Sequence, residues 1–306
     1  MRVWFKVLVS AAKNWSGDNA FKHSAAVSFY TLFSLAPITV IAVGIAGFFL
    51  GADEASKQLH HQISQLAGKS SADTIQEVVK ASTTREGNWV STVTGVVLLL
   101  VGATTVFGQL QDSLNEIWRV RSRPTRSGVI VVLFQRLISF AMVVTLGFLL
   151  LVSLVVTTAL TALTGRFDTE WAPLLAKGAE FVLALAVITL LFASVFKIMP
   201  DVKLRWRDVW GSAFLTALLF SGGRYLIALY LGHSTVASIY GAAGSLVALL
   251  IWIYYSCAIL LFGVEFTRSY RLARNLKTLP KDTAVAVREE IIEGKRGSLT
   301  VKKRGA

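Results

Sequence analysis

Apolar residues in this sequence run in blocks too long for a soluble fold. Residues 24–52, 87–111 and 137–165 contain no Asp, Glu, Lys or Arg. Each block exceeds the ~20 residues that a helix rising 1.5 Å per residue needs to cross about 30 Å of hydrocarbon. Three further blocks are interrupted. The 178–199 block has Glu180 and Lys197 near its ends, 209–231 contains Arg224, and 243–266 carries Glu265 near its end. The pattern predicts an all-α polytopic membrane protein with six transmembrane helices. Gly232-His233-Ser234-Thr235 links the last two as a short turn.

The segments between the blocks are patterned too. Trp4, Val7, Leu8, Ala11 and Trp15 recur at helical spacing, with Lys6 and Lys13 on another face. This predicts an interfacial helix lying apolar face down in the headgroup layer. In the 52–87 segment, Leu59, Ile63 and Leu66 mark one amphipathic helix. Thr74 with Glu77 resembles a capping box before Ile75, Val78 and Val79. A small helical cap over the outer face is expected. After the sixth block, Arg268, Arg271, Arg274 and Lys277 continue the helix as a basic stripe until Pro280 stops it. Asp282 is then expected to cap a short amphipathic helix ended by Gly294, with 295–306 disordered. Three regions result: an N-terminal amphipathic segment (1–23), a transmembrane domain (24–267, including the 52–87 cap) and a basic tail (268–306).

Composition agrees with the blocks. Charged residues are 16% of the chain against 54% hydrophobic, where soluble domains carry roughly 25% charged residues. The net charge of +13 is unevenly placed. Segments 1–23, 112–136, 197–208 and the tail hold 24 Lys and Arg; the alternate segments hold six. Positive charge is retained on the cytoplasmic side, so both termini are expected in the cytoplasm. The same placement assigns the basic excess to topology and anionic headgroups at the inner leaflet rather than nucleic acid. The lone Cys257 excludes an intramolecular disulfide.

The candidate chemistry is sparse. Pro37 is expected to kink the first span, because its missing N–H leaves the Phe33 carbonyl unpaired. Ser28, Thr31 and Ser34 form a hydroxyl stripe, for which bonding to the helix's own carbonyls outweighs a polar lining. Gln109, Asp112 and Glu116 make a polar face at the end of the second span, with Gln111 and Asn115 beside them. That helix is expected to reach Trp118 as an interfacial anchor, followed by a basic turn, 119–126. Arg224 sits toward the outer end of the fifth span, where a cation costs several kcal/mol unless it snorkels or meets an anion. Gly222-Gly223 beside it permits close helix approach. Glu265 is placed to pair with Arg268 at i+3. His60-His61 are read as solvated, since adjacent helical residues point about 100° apart and a zinc pair wants i, i+4 spacing. Metal-protease, serine-hydrolase and phosphate-loop motifs are absent from the sequence, so neither catalysis nor a cofactor is expected. Gly47 and Gly51 form a small-xxx-small element that permits close helix approach; a homo-oligomer is among the candidate partners.

Four motifs in order resemble the YihY/virulence factor BrkB family of bacterial inner-membrane proteins, once mislabelled ribonuclease BN. They are Ala25-Ala26-Val27-Ser28-Phe29-Tyr30-Thr31-Leu32-Phe33-Ser34-Leu35-Ala36-Pro37 and Gln111-Asp112-Ser113-Leu114-Asn115-Glu116-Ile117-Trp118. Then come Pro200-Asp201-Val202-Lys203-Leu204-Arg205-Trp206-Arg207-Asp208 and Tyr240-Gly241-Ala242-Ala243-Gly244-Ser245, with Trp252, Gly263 and Glu265 beyond. The resemblance covers roughly residues 15–267 and implies six transmembrane helices. It also implies links to envelope integrity, serum resistance and lipid or solute transport. A transporter or flippase-like protein handling a lipid or an amphipathic, anionic solute is therefore expected, with a non-transporting envelope scaffold as the alternative. The lipid-binding candidates are Arg224, Tyr30, Ser34, Pro37, Gln111, Asn115, Arg136, Tyr240, Gly241, Gly244 and Glu265.

Overall fold

The computed structural model describes residues 2–67, 72–73, 75–77, 105–123, 172–233, 244–293 and 299–305. The candidates Arg136, Tyr240 and Gly241, the third predicted span and the Thr74 cap lie outside these residues. For Arg224 and Pro37 only the helical backbone is described.

Seven helices carry the described fold: α1 (Arg2–Gly17), α2 (Ala20–Leu50), α3 (Ala52–Ala67), α4 (105–117), α5 (Ala172–Ile198), α6 (Trp206–His233) and α7 (Gly244–Ala273). Further helical residues lie at 72–73 and 75–77. Among the described residues, Phe181–Ile198 of α5 and Leu246–Ala273 of α7 are long and apolar enough to cross a membrane. The α2 helix runs 31 residues through Pro37.

The α7 helix is central and packs against α1, α2 and α6, while α5 packs on α6. The largest core cluster joins Leu114, Ile117 and Trp118 of the α4 end to Phe196, Val209, Leu261 and Val264. Gly263 makes the α6–α7 contact close, since a Cβ there would lie 2.7 Å from Phe196 Cζ and against Thr216 Oγ1.

Three expectations change at the element level. The stripe on α1 does not simply face lipid. Val7 and Ala11 are buried with Phe266, Trp4 stacks on Tyr270 at 5.2 Å, and the Trp15 indole donates to the Ala258 carbonyl at 3.1 Å. The exposed apolar residues are Trp4, Phe5, Leu8 and Val9. The helix satisfies its apolar stripe against α7 first, and its remaining apolar flank stays open.

The segment expected to cap the outer face folds back instead. Gly51, at φ 85°, reverses the chain after α2, in a region of backbone space that glycine enters without steric penalty. The α3 helix then packs along α2. Ile63 and Ile75 join Val27, Leu249, Ile253 and Cys257 in a second core cluster. His60 is not merely solvated: its Nε2 lies 2.8 Å from Asp73 Oδ1, tying α3 to the 72–77 stretch.

The tail forms strands where a helix and disorder were expected. Strand β1 (Val120–Ser122) lies within the expected basic turn, and β2 (Ala284–Glu293) and β3 (Leu299–Gly305) follow α7. They form one antiparallel sheet in the order β1-β2-β3, with Val120 opposite Ala286 and Ile291 opposite Val301. Asp282 does not cap a helix because its carboxylate accepts from Lys203 Nζ at 2.8 Å. Ala284-Val285-Ala286-Val287 alternates with period two, and branched Val suits a strand. The α7 helix also stops at Ala273, before the expected Lys277, where Asn275 takes φ 54°.

Candidate functional site

The polar face at the end of α4 aims at the loop after α5. Asn115 and Asp201 bond twice: Asn115 Nδ2 donates to Asp201 Oδ2 at 2.9 Å, and the Asp201 N–H donates to Asn115 Oδ1 at 2.8 Å. Ser122 of β1 donates to the same Oδ2 at 2.9 Å, and Gln111 Nε2 reaches Oδ1 at 3.4 Å. The Asp201 carbonyl accepts from the Lys281 N–H at 2.8 Å, and the Lys203 N–H donates to Leu279 at 2.8 Å. Asp201 is 7% exposed, and a buried carboxylate is tolerated when its oxygens are bonded in this way.

Beside this hub lies a cleft of about 330 Å³, walled by Asp112, Asn115 and Glu116 of α4, by Arg119, Arg121 and Ser122, and by Val287 of β2. Burial, and next the negative charge of Asp201, push the Asp112 carboxyl above the usual carboxylate range; Arg121 pulls it down and Glu116 pushes it up. Arg119 turns the chain from α4 into β1 at φ 53°. The turn swings Trp118 into the core, where it is 5% exposed with an unpartnered indole N–H, so it is not the interfacial anchor expected.

A charged cluster lies behind the cleft. Arg268 Nη1 donates to Asp18 at 2.7 Å and reaches Glu265 Oε1 at 3.5 Å. Arg119 stands 3.6 Å from Asp18, and His23 stands 3.6 Å from Glu116. Glu265 is 0% exposed and its Oε2 has no partner. The expected Glu265–Arg268 pair is present, but Asp18 is the closer partner of that arginine. Arg271 bonds Asp208 and donates to the Lys277 carbonyl at 2.8 Å. Between α6 and α7, Thr267 Oγ1 donates to Ser212 Oγ at 2.6 Å.

Only part of the expected site converges here. Gln111 and Asn115 meet at Asp201, and Glu265 joins the charged cluster. Ser34 is buried and donates to the Thr31 carbonyl at 3.0 Å, as Ser28 and Thr31 do to their own helix. Tyr30 is partly exposed on α2, and Gly244 is buried at the start of α7. Gly223 packs against the Tyr255 ring, whereas Gly222 meets nothing within 4 Å. Asp201, Ser122 and Asp18 were missed as site residues. Asp201 stood in a recognised motif, but nothing local in the sequence marked it as a hub.

Long apolar helices whose connecting segments gather into one polar, charged end define a helical membrane protein. The chain matches the virulence factor BrkB family over residues 11–286 and belongs to it. Among similar proteins is a UPF0761 membrane protein of Pseudomonas paraeruginosa, 30% identical over 278 residues, 86% of this chain and 63% of that protein. Others come from Stenotrophomonas maltophilia (26% identical, 82% of this chain, 58% of that one) and Alkalilimnicola ehrlichii (27%, 89% and 61%). The chain thus spans about three fifths of the length of these relatives. No solved structure matches it.

Proposed function

We propose that this protein is a multi-pass inner-membrane carrier, transporter or flippase-like, for a lipid or an amphipathic, anionic solute. Its termini are in the cytoplasm, and it does no covalent chemistry. The observation that carries this reading is α3. An amphipathic helix bearing exposed Asp53, Glu54 and Lys57 lies back along α2, a long apolar helix. Polar groups at membrane depth are tolerated where they are buried in protein or line a water-filled cavity. A solidly packed envelope scaffold, the rival reading, has no use for a charged helix folded in this way.

The test is reconstitution of the full chain into vesicles carrying a fluorescent phospholipid. Translocation above the protein-free rate is expected. Lys57→Cys is expected to react with a membrane-impermeant maleimide, against a background set by the buried Cys257. Lipid and anionic-solute exchange equal to empty vesicles, together with an unreactive Lys57→Cys, would leave the scaffold as the better account.

A further inference from the structure

The cleft beside α4 is lined by charges of both signs. Asp112 and Glu116 stand four residues apart on α4, so their carboxylates share one face. Arg119 and Arg121 line the side formed by the turn and β1. Neither outer pairing is short: Glu116 stands 3.6 Å from His23 and Arg119 stands 3.6 Å from Asp18, both beyond hydrogen-bond length. The floor, by contrast, is fixed by the Asn115–Asp201–Ser122 bonds. The walls are therefore held at a set separation while their charged heads keep capacity for a ligand.

We propose that this cleft binds a small zwitterion, an ammonium joined to a phosphate as in ethanolamine phosphate, with one charge on each wall. A simple anion would meet the two carboxylates, and a simple cation would meet the two guanidiniums. A ligand carrying both signs meets neither conflict. Arginine suits the phosphate because its planar fork bonds two oxygens at once. Asp112 supplies the ammonium site: Asp201 and Glu116 together add more negative charge around it than Arg121 offsets, so a positive group relieves repulsion there. At about 330 Å³ the cleft is near the bottom of the ~300–1,000 Å³ range for ligand sites, so it holds a headgroup and not acyl chains. The ligand is either a free phosphoamine or the headgroup of a bilayer lipid. This assignment names the substrate class for the carrier reading and rests on it for that role; binding is measured apart from transport.

Detergent-solubilised full-length protein is titrated with O-phosphoethanolamine, inorganic phosphate and ethanolamine. In parallel, it is placed in nanodiscs of phosphatidylethanolamine or phosphatidylglycerol, and retained lipid is read by native mass spectrometry. Phosphoethanolamine is expected to bind about tenfold or more tightly than either half alone. Asp112→Asn and Arg121→Gln should each weaken it by about tenfold at an unchanged melting temperature, with Arg121→Lys intermediate. Binding of the soluble probe identifies a free ligand. Asp112-dependent retention of phosphatidylethanolamine alone identifies a lipid headgroup. Phosphate binding as tightly as phosphoethanolamine overturns the proposal, as does the absence of Asp112-dependent binding in both arms. Should either variant misfold, Asp112→Glu and Arg121→Lys give the same comparison at preserved charge. Binding without translocation sinks the carrier reading and leaves the site standing; translocation without Asp112-dependent binding does the reverse.

Discussion

Asn115 is the residue on which two distant motifs depend. Its amide both donates to and accepts from Asp201, 86 positions away. Truncation to Ala would leave a buried carboxylate oxygen short of a donor and a buried N–H without an acceptor. Each such group costs about 1–3 kcal/mol; Ser122 still donates to Asp201 Oδ2, so Asn115→Ala should destabilise by roughly 2–4 kcal/mol, the lower part of the sum. Thermal melting in detergent checks this, and a change below about 0.5 kcal/mol would show that the hub is not needed for stability. The residue type was legible in advance, because a polar face on an apolar helix must go somewhere. Its partner was not, since hydrogen-bond pairing between remote loops leaves no local periodicity. The same contrast holds for Glu265. Its i+3 neighbour Arg268 was readable from helix geometry, whereas Asp18, 250 residues from Arg268, was not.

Among the elements, the close approach of α6 and α7 offers a sharp contrast of glycines. Gly263→Ala places a methyl against Phe196 and Thr216 and should cost about 1–3 kcal/mol through overpacking. Gly222→Ala adds a methyl into open space on α6 and should be neutral or stabilising by up to ~1 kcal/mol. Melting curves of the two variants decide it; equal shifts would mean that the helices are free to separate. Element type followed helical spacing in α1 and the length of the apolar block in α2 and α7. It failed at 284–293, where a short period-two run competes with a helical one and the decisive hydrogen bonds come from β1 and β3. On α1 the period was right and the partner was wrong. Amphipathicity specifies that a face is buried, and lipid and a neighbouring helix satisfy it equally well.

At the scale of the molecule, the segments around 18–23, 115–123, 199–208 and 265–287 meet at one end of the bundle, joined through Asp18, Asp201 and the sheet. These are the segments carrying the Lys and Arg excess. Reporter fusions after Arg126 and Lys203 should therefore be cytoplasmic, and one in the Gly51 turn should be on the opposite side. A signal from the same compartment for all three would break the alternation. The expected sidedness rests on local charge, which insertion reads, while the interior was not legible, because packing partners are chosen by shape after insertion.

The sheet at that end has a consequence for the order of assembly. Its first strand, Val120–Ser122, is made early, and the strand that pairs with it begins only at Ala284. The loop around Asp201 is likewise joined by backbone bonds from Leu279 and Lys281. At about 5–20 residues per second, β1 waits roughly ten to thirty seconds for its partner, and by the end of that wait every described helix has been made. Until then its backbone edge and the floor of the cleft stand open. Completion of the polar end waits on residues 279–287, and the stretch of chain after α7 acts as its clasp.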